Sequence, residues 1–162
     1  MRLVSSTCTA PKPLVDYPAK SVTHPEPQQT STSVTVLIVD DEEEELRYWA
    51  DLVRNLGKNY TVLTALDRQS AHAICREHRV DCVLLDLDMP ESGFDLLLEL
   101  VPEPKQPPIA VVVLTRLVYP TLCEIAKLHG AQNWLVKNQT SAEMLDTAIQ
   151  RAVLAVESGR HP

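Results

Sequence analysis

Residues 34–41 read VTVLIVDD, an almost continuous apolar run that ends in Asp40 and Asp41. A run this short, rich in valine and free of glycine and proline, predicts a strand that is buried on both faces. Strands of this kind belong to parallel sheets whose two faces are covered by helices. The stretch therefore predicts an α/β protein, with polar side chains gathered where this strand ends.

The chain downstream repeats the alternation of short apolar runs and helical segments. Leu46, Trp49 and Val53 recur at steps of three and four residues, which is typical of an amphipathic helix. Further strands are predicted at Tyr60–Ala65, Cys82–Leu85, Ile109–Leu114 and Trp134–Val136, and a last helix begins at Ser141. Five such units predict a doubly wound, five-stranded parallel sheet with helices on both faces.

The first 33 residues have a different composition. They contain five prolines and many serines and threonines, and they show no helical or strand period. Such composition predicts a flexible, solvated tail over residues 1–33, with a proline-rich docking peptide as the alternative. The folded domain is expected at 34–157, followed by a short C-terminal tail at 158–162.

The overall composition argues against several classes of protein. Hydrophobic residues make up 44% of the chain, which is enough for a core, and the net charge is −7 with scattered basic residues. Nucleic-acid binding needs a concentrated basic patch, so we expect none. No apolar run approaches the ~18 residues of a membrane span, and the N-terminus lacks the apolar stretch of a signal peptide. We therefore expect a protein without membrane contact that is located in the cytoplasm.

The cysteines favour the same compartment. Their spacing fits neither a zinc site nor a disulfide framework, and most of them lie in apolar segments where free cysteine behaves as a small buried hydrophobe. The four are Cys8, Cys75, Cys82 and Cys123. This usage is typical of the reducing cytosol.

Four of the five predicted strands end in polar residues that suit phosphoryl chemistry. The first strand ends at Asp40 and Asp41, the third at Asp86, the fourth at Thr115 and the fifth at Lys137. Each residue has an ordinary explanation by itself, as a helix cap, a strand end or a solvated charge. Together they are chemically coherent, because three crowded carboxylates favour a divalent cation such as Mg²⁺. An ionised Asp86 can then act as a nucleophile on phosphorus, with Thr115 and Lys137 donating to the phosphoryl oxygens.

Four segments carry a specific resemblance: VTVLIVDDEEEE, VLLDLDMP, VVVLT and GAQNWLVK, in that order. From Val34 to Val156 the chain resembles the receiver domain of bacterial response regulators, and in particular a chemotaxis-regulator-like, single-domain receiver. The resemblance implies a flavodoxin-like sheet and Mg²⁺-dependent phosphoryl transfer to Asp86. The donor would be the phosphohistidine of a sensor histidine kinase or of a phosphotransfer protein. The protein would then be a signalling receiver rather than an enzyme.

The resemblance also implies how the acidic residues divide their work. Asp86 would be the phosphoacceptor and would also bind the metal. Asp41 would bind the metal directly and Asp40 mostly through water, with the backbone carbonyl of Asp88 as a further ligand.

The other strand-end residues are assigned by the resemblance to the phosphoryl group. Thr115 and Lys137 would coordinate it, and Trp134, three residues before the lysine, occupies the position of the family's switch aromatic. In similar proteins such an aromatic turns inward when the threonine hydroxyl moves to meet the phosphoryl group. The alternative is that Trp134 only packs against the last helix.

The chain departs from the family pattern at four places. Arg116 stands where receivers usually carry a small residue, so it can shield the phosphoryl group or pair with Asp88. Asp88 itself lies at a position that tunes hydrolysis in the family. The loop before Gly93 is one residue shorter than usual. Asn138 replaces the proline that commonly follows the lysine, and a cis peptide is therefore not expected there.

The acidic run Glu42–Glu45 lies next to the expected metal site. We interpret it as a solvated first helical turn, favoured by the helix dipole, rather than as a set of metal ligands. The histidines are spread along the chain, and we assign none of them a catalytic role.

Two other functions stay open on the sequence. A haloacid-dehalogenase-type phosphatase would use Asp86 and Asp88 as its paired aspartates, although that pair is expected on the first strand. A receiver-like interaction module that works without phosphorylation is the second alternative, and Arg116 and the shortened loop keep it open.

The signal is expected to leave through another protein. Few residues follow Val156, so we expect no attached output domain and an unidentified effector protein as the partner. By analogy with the family, the fourth helix, fifth strand and fifth helix form the docking face, and the same face would serve in a homodimer.

Overall fold

The computed structural model of the chain describes residues 33–90 and 93–160. The N-terminal tail expected at 1–33 lies outside these ranges except for its last residue. Two residues of the shortened loop, Glu91 and Ser92, also lie outside them, as do the last two residues of the chain.

Strands and helices alternate along the described residues. In chain order the elements are β1 (Val34–Val39), α1 (Glu43–Arg54), β2 (Tyr60–Ala65), α2 (Arg68–Glu77), β3 (Cys82–Leu85), α3 (Gly93–Leu100), β4 (Ala110–Thr115), α4 (Pro120–Leu128), β5 (Asn133–Val136) and α5 (Ala142–Arg160). The strands form one parallel sheet in the order β2-β1-β3-β4-β5. This order confirms the predicted doubly wound, flavodoxin-like fold.

The final helix is longer than the sequence analysis expected. We predicted a C-terminal tail from residue 158, but α5 continues to Arg160. Residues 142–160 contain no proline, and their single glycine weakens the helix by only about 1 kcal/mol. Nothing local therefore stops the helix at 157.

The two faces of the sheet bury separate hydrophobic clusters. Val36 and Ile38 of β1 point to a cluster that α1 and α5 cover, whereas Leu37 and Val39 point to a cluster that α2, α3 and α4 cover. The strands alternate in this way because successive side chains in a strand point to opposite faces. Within the described residues, no helix combines the length and the apolar character that a bilayer span requires.

The strand order brings the carboxyl ends of β1, β3, β4 and β5 together at one edge. Val39 is in register with Leu85, so Asp40 and Asp86 follow directly on neighbouring strands. The backbone N–H of Asp86 donates to the carbonyl of Val39 at 3.0 Å, which extends the pairing to the acceptor position. In sheets of this type, the crevice where the strand order changes is where ligands bind.

Gly93, at the start of α3, packs directly against the backbone at the end of β3. A Cβ at this position would lie 2.2 Å from the carbonyl oxygen of Asp86 and 2.8 Å from the Cα of Leu87. Backbone atoms cannot rotate away as a side chain can. Glycine is therefore needed here for space, so that α3 can begin close to Asp86.

We predict that Gly93→Ala lowers the free energy of unfolding by about 1–3 kcal/mol, because the added methyl group overpacks against backbone. Urea denaturation followed by circular dichroism measures the change. Gly159→Ala is the matched control, because a Cβ there meets nothing within 4 Å and alanine favours a helix. A Gly93→Ala protein as stable as the control would show that α3 does not depend on this close approach.

Candidate functional site

Four side chains from four strand ends converge at the carboxyl edge of the sheet. Asp40 follows β1, Asp86 follows β3, Thr115 is the last residue of β4, and Lys137 opens a short 3-10 turn after β5. Their exposed fractions are 2%, 2%, 0% and 8%. Among the described residues, these are the polar or charged side chains that are buried. A fold tolerates buried polar groups where they have hydrogen-bond partners. Here Lys137 donates to Asp40 and Asp86, and Thr115 accepts from the backbone.

Lys137 links the acidic residues of this site. Its Nζ donates to Asp40 Oδ2 at 2.6 Å and to Asp86 Oδ2 at 2.7 Å, and it also donates to Glu45. Burial alone would lower the pKa of the ammonium, but the hydrogen bonds to Asp40, Asp86 and Glu45 outweigh it and raise the pKa of Lys137. The lysine is therefore a fixed positive charge between the two buried carboxylates.

Burial disfavours the charged form of Asp40. Its burial raises the pKa of the carboxyl above 3.8, and the hydrogen bonds from Lys137 and from the backbone N–H of Glu42 only partly offset this. The N–H of Glu42 donates to Asp40 Oδ1 at 3.0 Å, so both oxygens of the carboxylate are occupied. The charged form of Asp40 is thus held in a place where solvent does little to stabilise it.

The acidic residues fit a hard divalent cation. Asp40, Asp41 and Asp86 each offer an oxygen, and these atoms lie within 4.8 Å of one another. Asp41 is exposed while the other two are buried, so a cation here would meet protein oxygens on one side and water on the other. Mg²⁺ prefers oxygen ligands and keeps several waters, so it fits this set.

Asp88 contributes through its backbone. Its N–H donates to Asp86 Oδ1 at 2.9 Å, so it holds the carboxylate oxygen that Lys137 does not contact. The side chain of Asp88 is 43% exposed and lies 3.9 Å from the guanidinium of Arg116. The predicted pairing of these two residues is therefore present as a long contact, and the role of the Asp88 carbonyl stays a prediction.

Thr115 is held by the loop that follows it. Its Oγ1 accepts the backbone N–H of Leu117 at 3.3 Å. As an acceptor in this bond, the hydroxyl keeps its own proton for another acceptor. Thr115 is in register with Val136, so it lies beside the strand that leads to Lys137.

Trp134 lies on the face of the sheet opposite to α5. Its half-buried side chain packs against the cluster that α2, α3 and α4 cover, whereas Leu135 belongs to the cluster under α1 and α5. The alternative that Trp134 packs against the last helix is therefore wrong. Its role as the switch aromatic stays a prediction.

The peptide bonds of the described residues, including that between Lys137 and Asn138, are all trans. Lys137 and Asn138 form a 3-10 turn with Gln139. The shortened loop before Gly93 contains Glu91 and Ser92, which lie outside the described residues.

Arg116 lies over the site and is held mainly by residues at the start of α1. Its guanidinium donates to Glu42, which directly precedes the helix, and contacts Glu45 Oε1 at 3.4 Å, in addition to the long contact with Asp88. The sequence predicted a shielding or Asp88-paired arginine but did not identify the two glutamates as its partners. An arginine side chain that is 47% exposed can release such partners at little cost.

Glu45 is the site residue that the sequence analysis missed. We interpreted it as a solvated residue of the first helical turn, but it accepts a hydrogen bond from Lys137 and is 28% exposed. The signal that could have found it is helical spacing. Glu45 lies one turn before Trp49, which is 3% exposed, so it belongs to the inward side of α1.

Residues 36–149 match the family model described as "Response regulator receiver domain". The chain belongs to this family. Receiver domains are generally signalling modules of two-component systems, and they interact with histidine kinases or phosphotransfer proteins and with effectors. The family shown is thus the one that the four sequence segments predicted, and it is not the haloacid dehalogenase family.

Relatives and solved structures agree with this family. Protein PilH of Pseudomonas aeruginosa is 30% identical over 121 residues, which cover 74% of this chain and 97% of PilH. A gliding motility regulatory protein of Myxococcus xanthus is 32% identical over 72% of this chain but only 15% of its own length. The chain spans 15% to 34% of the length of four of the curated relatives that it matches.

A receiver domain protein of Clostridium thermocellum has a similar solved structure. Its TM-score against this chain is 0.67 at 29% sequence identity, and the match covers 77% of this chain and 98% of the other. Both the fold and the family are therefore supported by a relative of known structure.

We predict that Asp40→Asn raises the melting temperature in metal-free buffer at pH 7. Because burial raises the pKa of Asp40 above its unfolded value of 3.8, the folded state binds the proton more tightly than the unfolded state. Stability is therefore lost as the pH rises through 3.8 to the folded pKa. Asparagine avoids this loss. Thermal melts from pH 3 to pH 8 should show a gain at neutral pH that disappears in acid.

Mg²⁺ is expected to act in the opposite direction, because the predicted ion would be held in the folded wild type partly by this carboxylate, mostly through water. Adding Mg²⁺ should raise the melting temperature of the wild type more than that of Asp40→Asn. Asp51→Asn, which removes an exposed carboxylate of α1, should respond to Mg²⁺ as the wild type does. Equal stabilisation of all three proteins by Mg²⁺ would show that Asp40 does not contribute to metal binding.

Proposed function

We propose that this protein is a phosphorylatable receiver that accepts a phosphoryl group on Asp86 from the phosphohistidine of a sensor histidine kinase or phosphotransfer protein. The observation that carries the proposal is the convergence of Asp40, Asp86, Thr115 and Lys137, the buried polar side chains of the described chain, at one edge of the sheet. A fold places charged groups in its interior at a cost, so their convergence at a crevice favours a functional role.

Asp86 is the nucleophile in this proposal. One of its carboxylate oxygens forms a bond to phosphorus while the bond from phosphorus to the donor's imidazole nitrogen breaks. The electron pair of that bond stays on the nitrogen. Lys137, 2.7 Å from Asp86 Oδ2, and the hydroxyl of Thr115 donate to the phosphoryl oxygens. Phosphoryl transfer depends chiefly on such positioning and charge stabilisation.

The cofactor that fits is Mg²⁺. Asp40, Asp41 and Asp86 would hold it, with the backbone carbonyl of Asp88 as the further ligand, and Asp40 would act mostly through water. When bound, the ion neutralises charge that the carboxylates and the phosphoryl oxygens share. Asp41 is the exposed member of the set, which suits a direct ligand of a cation that enters from solvent.

The output is proposed to pass through a partner protein. Trp134 and Thr115 would respond to the phosphoryl group, and the face formed by α4, β5 and α5 would bind an effector or a second copy of the chain. Exposed apolar side chains on the two helices support this proposal, namely Leu128 of α4 at 76% and Met144 of α5 at 47%. We propose a cytoplasmic location because the phosphohistidine donor is formed there from ATP.

We predict that Mg²⁺ and a small phosphodonor such as acetyl phosphate add one phosphoryl group to the wild type and none to Asp86→Asn. Asparagine keeps the size of the side chain but is not nucleophilic toward phosphorus. Intact-protein mass spectrometry measures the addition. Asp51→Asn, an exposed position on α1, is the control and should gain the group at the wild-type rate.

Two results would point to the alternatives. If no phosphoryl group is added by any donor or kinase, the chain is an interaction module that works without phosphorylation. If the protein hydrolyses a small phosphate ester at enzyme-like rates and Asp88→Asn abolishes this, Asp86 and Asp88 act as a phosphatase pair.

A further inference from the structure

Glu45 is shared between the two cations of the site. Its Oε2 accepts a hydrogen bond from Lys137, and its Oε1 lies 3.4 Å from the guanidinium of Arg116. Lys137 is buried and Arg116 is half-exposed, so this one carboxylate joins the inner cation to the outer one.

The donors of Lys137 are fully used in this arrangement. An ammonium has three N–H donors, and carboxylates of Asp40, Asp86 and Glu45 accept from it. A phosphoryl oxygen on Asp86 needs one of these donors. Lys137 must therefore release a partner when the phosphoryl group arrives.

Glu45 is the partner that can leave at the lowest cost. Asp40 and Asp86 are 2% exposed and follow β-strands directly, so neither can move into water without opening the sheet edge. Glu45 is 28% exposed and stands on a longer side chain of α1. A cavity of about 350 Å³, lined by Glu45, Tyr48 and Trp49 among others, adjoins Lys137 and Arg116 and leaves room for the released carboxylate.

The same release removes one partner of the outer cation. Arg116 is held by Glu42, Glu45 and, at 3.9 Å, by Asp88. The remaining partners are exposed, and exposed ion pairs contribute little stability. A doubly charged phosphoryl group close by competes well for a guanidinium, which binds phosphate oxygens in a fork.

We propose that Glu45 is a gating carboxylate of the receiver. In the unphosphorylated protein it occupies donors of Lys137 and Arg116 that phosphoryl oxygens need, and phosphorylation of Asp86 transfers these donors to the phosphoryl group and releases Glu45. This inference rests on the proposed function, because it assumes that Asp86 is the acceptor. Glu45 is a positioning residue in this proposal, since it acts through the two cations.

The test compares Glu45→Gln with the wild type and with Glu43→Gln. Glutamine keeps the shape of the side chain and removes its charge, so Lys137 keeps two carboxylate partners and is held less tightly by the third. Glu43 is also in the first turn of α1 and is exposed, so Glu43→Gln removes an equal charge without touching either cation. The three proteins are incubated with Mg²⁺ and acetyl phosphate, and intact mass is recorded over time.

Glu45→Gln should gain the phosphoryl group about fivefold faster than Glu43→Gln, which is the scale of one partly exposed ion pair. If the wild type is phosphorylated and the two variants have equal rates, Glu45 is not a gate and the proposed function stands. If none of the three gains a phosphoryl group from acetyl phosphate or from any kinase, both proposals are overturned.

A second measurement separates a gate from a structural contact. The gate exists only in the unphosphorylated protein, so Glu45→Gln should melt at a lower temperature than the wild type without phosphodonor. In excess Mg²⁺ and acetyl phosphate, this difference should disappear. A difference of equal size in both conditions would identify a structural ion pair and would overturn the gate. The same melts show that the variant is folded.

Discussion

Two carboxylates, Asp40 and Asp86, are buried side by side at the ends of neighbouring strands, and one ammonium lies between them. Like charges in the interior repel each other, and leaving a buried charge without its partner costs about 3–5 kcal/mol. Lys137, which follows the edge strand β5, supplies the positive charge that compensates the two carboxylates. Its position ties the beginning of the domain to its end, because the three residues come from the first, third and fifth strands.

Because of the topology, buried charges come together at one edge of the sheet and nowhere else among the described residues. Parallel strands all end on the same side, and the change in strand order between β1 and β3 opens a crevice there. At this crevice α3 starts directly beside the acceptor. Gly93 makes that possible, since its missing Cβ leaves room for the carbonyl of Asp86. The close approach of α3 helps to bury Asp86.

The sequence predicted the residues that meet at the strand ends. It did not predict the contacts that long side chains of helix α1 make with them. Short apolar runs located all five strands to within a residue or two, and the residues that follow them therefore had to meet at one edge. The partners of Arg116 and Glu45 depend on the rotation of α1 against the sheet, which the hydrophobic period defines only coarsely. Alternation along β5 predicts that Trp134 and Leu135 point to opposite faces of the sheet. Because β5 is only four residues long, its other residues do not predict which face each of the two side chains takes.

The charges around the acceptor are unequal, and this decides which group has to move. Six carboxylates belong to the site or its border, namely those of Asp40, Asp41, Glu42, Glu45, Asp86 and Asp88, and the two cations are Lys137 and Arg116. An incoming phosphoryl group adds further negative charge to this excess. The site must then gain a cation or lose a carboxylate from the neighbourhood of its two cations. A divalent metal can supply the first, and of the carboxylates that hold Lys137, Glu45 alone borders both solvent and a cavity. The same excess of negative charge that favours metal binding thus favours release of Glu45.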